Sequence, residues 1–303
     1  LTHLLEAKDN AYHIIVQRYD ADKERLQIDI NFVCEGLEHL PVLFGKKLRL
    51  PVFASNITSN PHAFDDNTTC GQIFLHALAY QFGVDRPVHA EEKAQLYYAA
   101  GIVYDEVSNY VLTNGLQAYS DGVLHPGWEG FYQNRESLQA SLANLSTVDK
   151  VISPDKKVYV LENAGVFAAI LDKLSSHRPP LICTYGQVKI ASLVLMDMLV
   201  KEDTTIYYSG DFDSEGLRIA DKLKQRYGEK LVLWRYDIRD YKKALSNERI
   251  NDIRLKKMDG LHSPELVALS QQIRSYGCAG YQEAILDNLI GDIQNVHTKG
   301  IEV

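Results

Sequence analysis

The sequence predicts an α/β protein whose C-terminal half, residues 154–303, is a parallel sheet flanked by helices, preceded by a mixed α+β region over residues 1–153. Two observations carry this. After Ser153-Pro154-Asp155, short largely apolar runs alternate with helix-patterned segments, as expected of a sheet covered on both faces. Before it, helical and extended signals mix without a fixed period. Length agrees, since 303 residues exceed what one core usually supports.

In chain order, Leu26-Gln27-Ile28-Asp29-Ile30 alternates as an extended segment does, and residues 55–69 are rich in turn formers. Within the latter, Asn60-Pro61-His62-Ala63-Phe64-Asp65 places a His near an Asp, but Asn-Pro and Asp-Asp-Asn are ordinary turn and capping chemistry. Residues 90–100 and 105–112 read as two helices parted by Gly101, a helix-turn-helix or winged-helix pattern, and residues 136–145 as a further helix after the Asp121-Gly122 and Pro126-Gly127 turns. Strands follow at 157–161 (KVYVL), 180–184 (PLICT), 204–209 (TTIYYS) and 230–234. Helices are expected at 166–174, 190–199, 217–227, 264–275 and 281–293.

Composition excludes several classes. With 46% hydrophobic and 24% charged residues the chain is neither disordered nor fibrous, and it has no apolar run of membrane-spanning length. Cys34, Cys70, Cys183 and Cys278 form no CxxC pair, so they read as small buried hydrophobes in a reducing cytoplasm. The start at Leu1 rather than Met suggests that further sequence precedes it. A net charge of −8 argues against a chain that coats nucleic acid by bulk electrostatics, though local acidity is what a metal-dependent phosphoryl-transfer site needs.

The acids with chemical promise stand at strand ends, where a parallel sheet presents its ligands. Glu162 ends the 157–161 strand, and Asp211 and Asp213 follow the 204–209 strand in Ser209-Gly210-Asp211-Phe212-Asp213-Ser214-Glu215-Gly216. Side-chain alternation turns both aspartates one way and Phe212 the other. Clustered carboxylates suit magnesium or manganese, which screens a phosphate and acidifies bound water, with Glu162 as ligand or general base. The plainer reading is that Asp213 or Ser214 caps the next helix and Asp211 lies in a solvated turn.

These residues resemble a known family. The order strand-Glu-helix, strand-Asp-x-Asp-helix is similar to the Toprim fold, and Asp211-Phe212-Asp213-Ser214-Glu215-Gly216-Leu217-Arg218-Ile219 resembles the DxDPxGxxI stretch of the topoisomerase VI A subunit. Glu162-Asn163-Ala164-Gly165-Val166-Phe167 resembles its Glu-Lys-x-x-x-Phe segment, and Thr184-Tyr185-Gly186-Gln187 its Thr-Gly-x-Gly turn. The combination is closer still to the Toprim nuclease (JetD-like) subunits of Wadjet plasmid-defence systems. The likeness spans about residues 155–295 and is fainter over 40–145. It implies a Toprim catalytic domain and a winged-helix or CAP-like module at about 85–150. It also implies a homodimer acting on double-stranded DNA beside an SMC-type, condensin-like complex.

Ser214-Glu215 departs from the topoisomerase Pro-Tyr, so Glu215 either adds a carboxylate or favours the helix N-terminus. Glu283 resembles a late acidic position of the defence nucleases. Lys189, Arg218, Arg235 and Arg239 are candidates for phosphate contacts, or solvated surface charges. The implied activity is a magnesium-dependent DNA endonuclease using Glu162, Asp211 and Asp213. A haloacid-dehalogenase phosphatase reading of Asp211-Phe212-Asp213 wants Thr or Val where Glu215 stands, and two further alternatives remain. One is a tyrosine transesterase, for which Tyr97, Tyr98, Tyr104 and Tyr110 are available but no motif selects one. The other is a catalytically silent DNA-sensing or scaffold subunit.

Overall fold

The computed structural model describes residues 10–104, 108–174 and 179–299. The chain divides into two compact units, residues 1–106 and 107–303.

The first unit contains α1 (Asn10–Ala21), α2 (Lys23–Glu38), β1 (Leu48–Arg49), α3 (Leu50–Thr58), α4 (Thr69–Gln81), α5 (Ala90–Ala99) and β2 (Ile102–Val103). The segment Leu26–Ile30, expected to be extended, lies within α2. Its buried residues Leu26, Asp29, Val33 and Gly36 recur at helical spacing, and Asp22 caps the helix by accepting from the Arg25 amide at 2.9 Å. Phe53, Phe64 and Phe74, the last two with centroids 4.4 Å apart, stack beside Gly36 of the same helix. The Asn60–Asp65 segment is turn chemistry, with Asn60 accepting from the His62 amide and Thr68 capping α4.

The second unit is built on a six-stranded mixed sheet. Its strands are β3 (Tyr110–Asn114), β6 (Leu138–Ser141), β8 (Lys157–Leu161), β9 (Leu181–Cys183), β10 (Thr205–Ser209) and β11 (Leu231–Leu233), in the order β11-β10-β8-β9-β3-β6. The four strands β8 to β11 are parallel, while β3 runs antiparallel to both β9 and β6. A smaller sheet pairs β4 (Gln117–Ser120) with β5 (Val123–Leu124) and β7 (Lys150–Ile152). Helices α6 (Pro126–Asn134) and α7 (Leu142–Leu145) fall among these strands. Connecting the parallel strands are α8 (Ala164–Lys173), α9 (Ile190–Lys201) and α10 (Ser214–Tyr227). Beyond β11 lie α11 (Ile238–Ala244), β12 (Leu245–Arg249), α12 (Asp252–Lys256), α13 (Pro264–Tyr276), β13 (Cys278–Gly280), a 3-10 turn (Gln282–Ile285) and α14 (Leu286–Lys299).

Several expectations are corrected here. Residues 105–107 lie outside the described residues, and the remainder of the expected 105–112 helix contains the start of β3. Residues 136–145 form β6 and then the single turn α7, with Ser141 capping α7 through the Asn144 amide. Both strands gain ladder partners in the main sheet, which local propensity does not reveal. By compactness the chain divides at 106/107. Cys70 and Cys183 are buried, whereas Cys278 is half-buried and Cys34 exposed. Among the described residues no helix is long and apolar enough to cross a membrane.

Candidate functional site

Strand β8 is flanked by β9 on one side and β10 on the other, so the chain reverses its direction of winding between β8 and β10. Such a switch point opens a crevice at the carboxyl ends of its strands. Glu162 ends β8 and Asp211 follows β10 across this crevice. Ser209 pairs with Leu161, the Glu162 amide donates to the Ser209 carbonyl at 3.2 Å, and the Asp211 amide donates to Glu162 Oε2 at 3.1 Å.

Glycines permit this approach. A Cβ on Gly210 would overlap Glu162 Oε2 and stand 2.9 Å from Tyr236 Oη and 3.1 Å from Tyr208 Oη, while one on Gly216 would overlap the Asp211 carbonyl. Phe212 turns away from the aspartates as expected. It is fully buried against Tyr236 and Tyr241, and its backbone bridges Gly280 in both directions at 2.9 and 3.1 Å.

The two acids nearest the switch are electrostatically uncomfortable. Burial, then the nearby Asp211, push the Glu162 carboxyl up to about 8. Burial also raises Asp211, to about 6; the Gln282 amide, donating to its Oδ1 at 2.9 Å, opposes the shift, and the charges of Glu283 and Asp213 add to it. Buried nearby are Tyr208 Oη, Tyr236 Oη, Ser209 Oγ and Gln282 Nε2, which have no hydrogen-bond partner among the described residues.

The other acids are committed differently. Asp213 is the N-cap of α10, accepting from the Gly216 amide at 2.8 Å, while its Oδ2 pairs with Arg254 at 2.7 Å. Glu215 is pinned by Ser214 Oγ at 2.6 Å, Arg254 at 2.7 Å and Lys257 at 3.0 Å. Burial works against ionisation there, but these hydrogen bonds hold the carboxyl at about 2. Glu283 accepts from Asn163 Nδ2 at 2.6 Å, and Asn163 also caps α8.

Chemically, Glu162 and Asp211 suit a hard dication. Magnesium commonly takes one or two carboxylates and completes its shell with water and phosphate oxygens. Burial and like charge raise both carboxyls, and a cation there relieves that cost. Glu215, with both oxygens held by cations, does not fit a ligand role, and Asp213 is split between a cap and Arg254. Among the described residues no three His, Cys, Asp or Glu side chains are arranged together to hold an ion.

Of the basic candidates, Arg218 on α10 is half-buried and has no ion pair among the described residues. Lys189 lies 4.1 Å over the Tyr110 ring. Arg235 is paired with Asp292 and lies 3.6 Å from Asp240, and Arg239, 93% exposed, lies 3.4 Å from Asp237. Both of these arginines line a groove of about 810 Å³ to which none of Glu162, Asp211, Asp213, Glu215 or Glu283 contributes.

Sequence reasoning missed Arg254, Lys257, Gln282, Tyr208 and Tyr236. Only Gln282, adjacent to Glu283, carried any signal. Tyr97 is fully buried and stacks with Tyr104, Tyr98 is hydrogen-bonded by Lys47, and Tyr110 meets Tyr185 edge-on.

Residues 138–293 match the family model described as "Protein of unknown function C-terminus (DUF2399)". The chain belongs to that family. Its DUF2399 match opens at Leu138, the first residue of β6, and holds the main sheet apart from β3, with all five acids. Residues 3–118 match the model described as "Protein of unknown function N-terminus (DUF3323)". No curated protein matches the chain.

Proposed function

We propose that this DUF2399 protein is a magnesium-dependent DNA endonuclease of the Toprim type, serving as the nuclease subunit of a Wadjet-like, SMC-associated plasmid-defence system. The observation that carries the reading is the meeting of Glu162 and Asp211 at the switch between two parallel strands, backed by the motif resemblance around both. In this reading Glu162 and Asp211 hold Mg²⁺ or Mn²⁺. When bound, the ion screens the scissile phosphate and acidifies its water.

The chain's own groups supply the setting. Asp211 is oriented by the Gln282 amide and Glu162 by the Asp211 amide, so neither carboxylate must be ordered when substrate arrives. Asp213 anchors the N-terminus of α10 and fixes Arg254, which with Lys257 neutralises Glu215. Arg218, free of any ion pair among the described residues, is available to a DNA phosphate.

The test is incubation of circular and linear plasmid with Mg²⁺ or Mn²⁺, comparing wild type with Asp211→Ala. Metal-dependent nicking or linearisation that vanishes in the variant is expected. Absence of any metal-dependent difference, with SMC-type partner subunits also supplied, overturns the proposal.

A further inference from the structure

The turn after β9 holds a bulky side chain where the backbone favours none. Tyr185 and Gly186 have φ of +57° and +78° in succession, a conformation normally given to Asn-Gly or Gly-Gly. An aromatic residue in the left-handed region carries strain of order 1–2 kcal/mol. Packing does not account for it, because Tyr185 remains 48% exposed. Among the described residues its one aromatic neighbour is Tyr110, met edge-on at 6.1 Å, and Lys189 lies 4.1 Å over the Tyr110 ring.

The turn is fixed to the carboxylate crevice. The Gly186 amide donates to the Glu162 carbonyl at 3.1 Å and the Thr184 amide to the Leu161 carbonyl at 3.0 Å, so the backbone on either side of Tyr185 is tied to the strand end that carries Glu162. Strain retained at an exposed aromatic beside a reactive site points to a contact made with something outside the chain.

Resting on the nuclease reading, we infer that Tyr185, with Tyr110 and Lys189, forms a stacking platform that receives an unpaired base of the nucleic acid engaged at Glu162 and Asp211. A tyrosine ring accepts any base on its face, and the Lys189 ammonium is placed to meet the adjoining phosphate. The substrate class is therefore DNA with locally unpaired bases, such as a bulge, a gap or a strained, untwisted circle, in preference to a relaxed, fully paired duplex.

The test measures fluorescence anisotropy of the full chain, without divalent metal, on a fully paired duplex and on the same duplex with a three-base bulge. Wild type, Tyr185→Gly and Tyr185→Phe are compared. Tyr185→Gly is expected to bind the bulged duplex about 10- to 100-fold more weakly, the paired duplex unchanged, and to unfold about 2–4 °C higher as the turn relaxes. Tyr185→Phe retains bulge preference. If Tyr185 serves only to pack the turn, Tyr185→Gly unfolds at a lower temperature and keeps its selectivity, and the inference is overturned. Plasmid nicking in the same preparations separates the two claims. Metal-dependent nicking with unchanged bulge selectivity in Tyr185→Gly overturns this inference alone. Tyr185-dependent bulge selectivity without nicking by wild type overturns the nuclease reading alone, and a wild type that neither nicks nor binds overturns both.

Discussion

Replacing Glu162 by Gln separates the cost of the buried carboxyl from its use. The native carboxyl is raised from 4.5 to about 8, so across that interval the folded chain holds a proton that the unfolded chain has released. The contribution to stability is thus greatest below pH 4.5 and is lost as pH rises through 8. At about 1.36 kcal/mol per tenfold change the displacement corresponds to roughly 5 kcal/mol, and partial access of water reduces this to about 2–3 kcal/mol. Asp211, raised from 3.8 to about 6, adds a slope of the same sign at lower pH. Glu162→Gln has no charge to bury. Its side-chain oxygen can still accept from the Asp211 amide, so at pH 5 the variant and wild type should unfold at similar urea concentrations. At pH 9 the variant should be more stable by about 2–3 kcal/mol, although inactive. Millimolar Mg²⁺ at pH 8 should stabilise wild type and leave the variant unmoved. Parallel stability curves for the two chains from pH 5 to pH 9 would refute the electrostatic reasoning.

Three further changes have defined outcomes. Gly210→Ala drives a methyl group into Glu162 Oε2 and the Tyr236 and Tyr208 hydroxyls, so it should cost about 1–3 kcal/mol in urea and abolish any metal-induced rise in melting temperature. Arg254→Ala removes the cation shared by Asp213 and Glu215 and should cost about 1–3 kcal/mol at pH 7. Because Glu215 is held at about 2, its contribution is present above pH 4.5 and lost towards pH 2, so acid titration of the fold should show the variant's deficit vanish there. Asp292→Ala strips partners from the Trp234 indole N–H and the Arg235 guanidinium, and equilibrium unfolding should show a loss of about 2–3 kcal/mol.

The parallel strands were legible because strands buried on both faces read as unbroken apolar runs, as in KVYVL and PLICT, and their carboxyl ends then point to Glu162 and Asp211. The N-terminal half was less so. Leu26–Ile30 satisfies both periods over five residues, and only the longer spacing to Val33 and Gly36 decides for a helix. Strands β3 and β6 depend on pairing with β9 and with each other, information held tens of residues away. The same distance hides the partners of the acids. Arg254 reaches Asp213 from 41 residues downstream, and the group that orients Asp211 is a backbone amide at position 282, which no residue type announces. The Glu215 carboxylate likewise meets Arg254 and Lys257 from 39 and 42 residues downstream, partners that its local sequence does not announce.

The bridge between Phe212 and Gly280, with the Gln282 amide on Asp211 and Glu283 on Asn163, makes the carboxylate centre depend on a segment far along the chain. During synthesis β8 and β10 can pair long before residues 278–285 emerge, yet until that segment docks Asp211 lacks the donor that holds it. A nascent or clipped chain with an intact sheet would thus carry both acids and an unfinished centre. The segment 278–285 thus acts as a latch on the pair, and the centre is complete only once a stretch about 70 residues beyond Asp211 has docked.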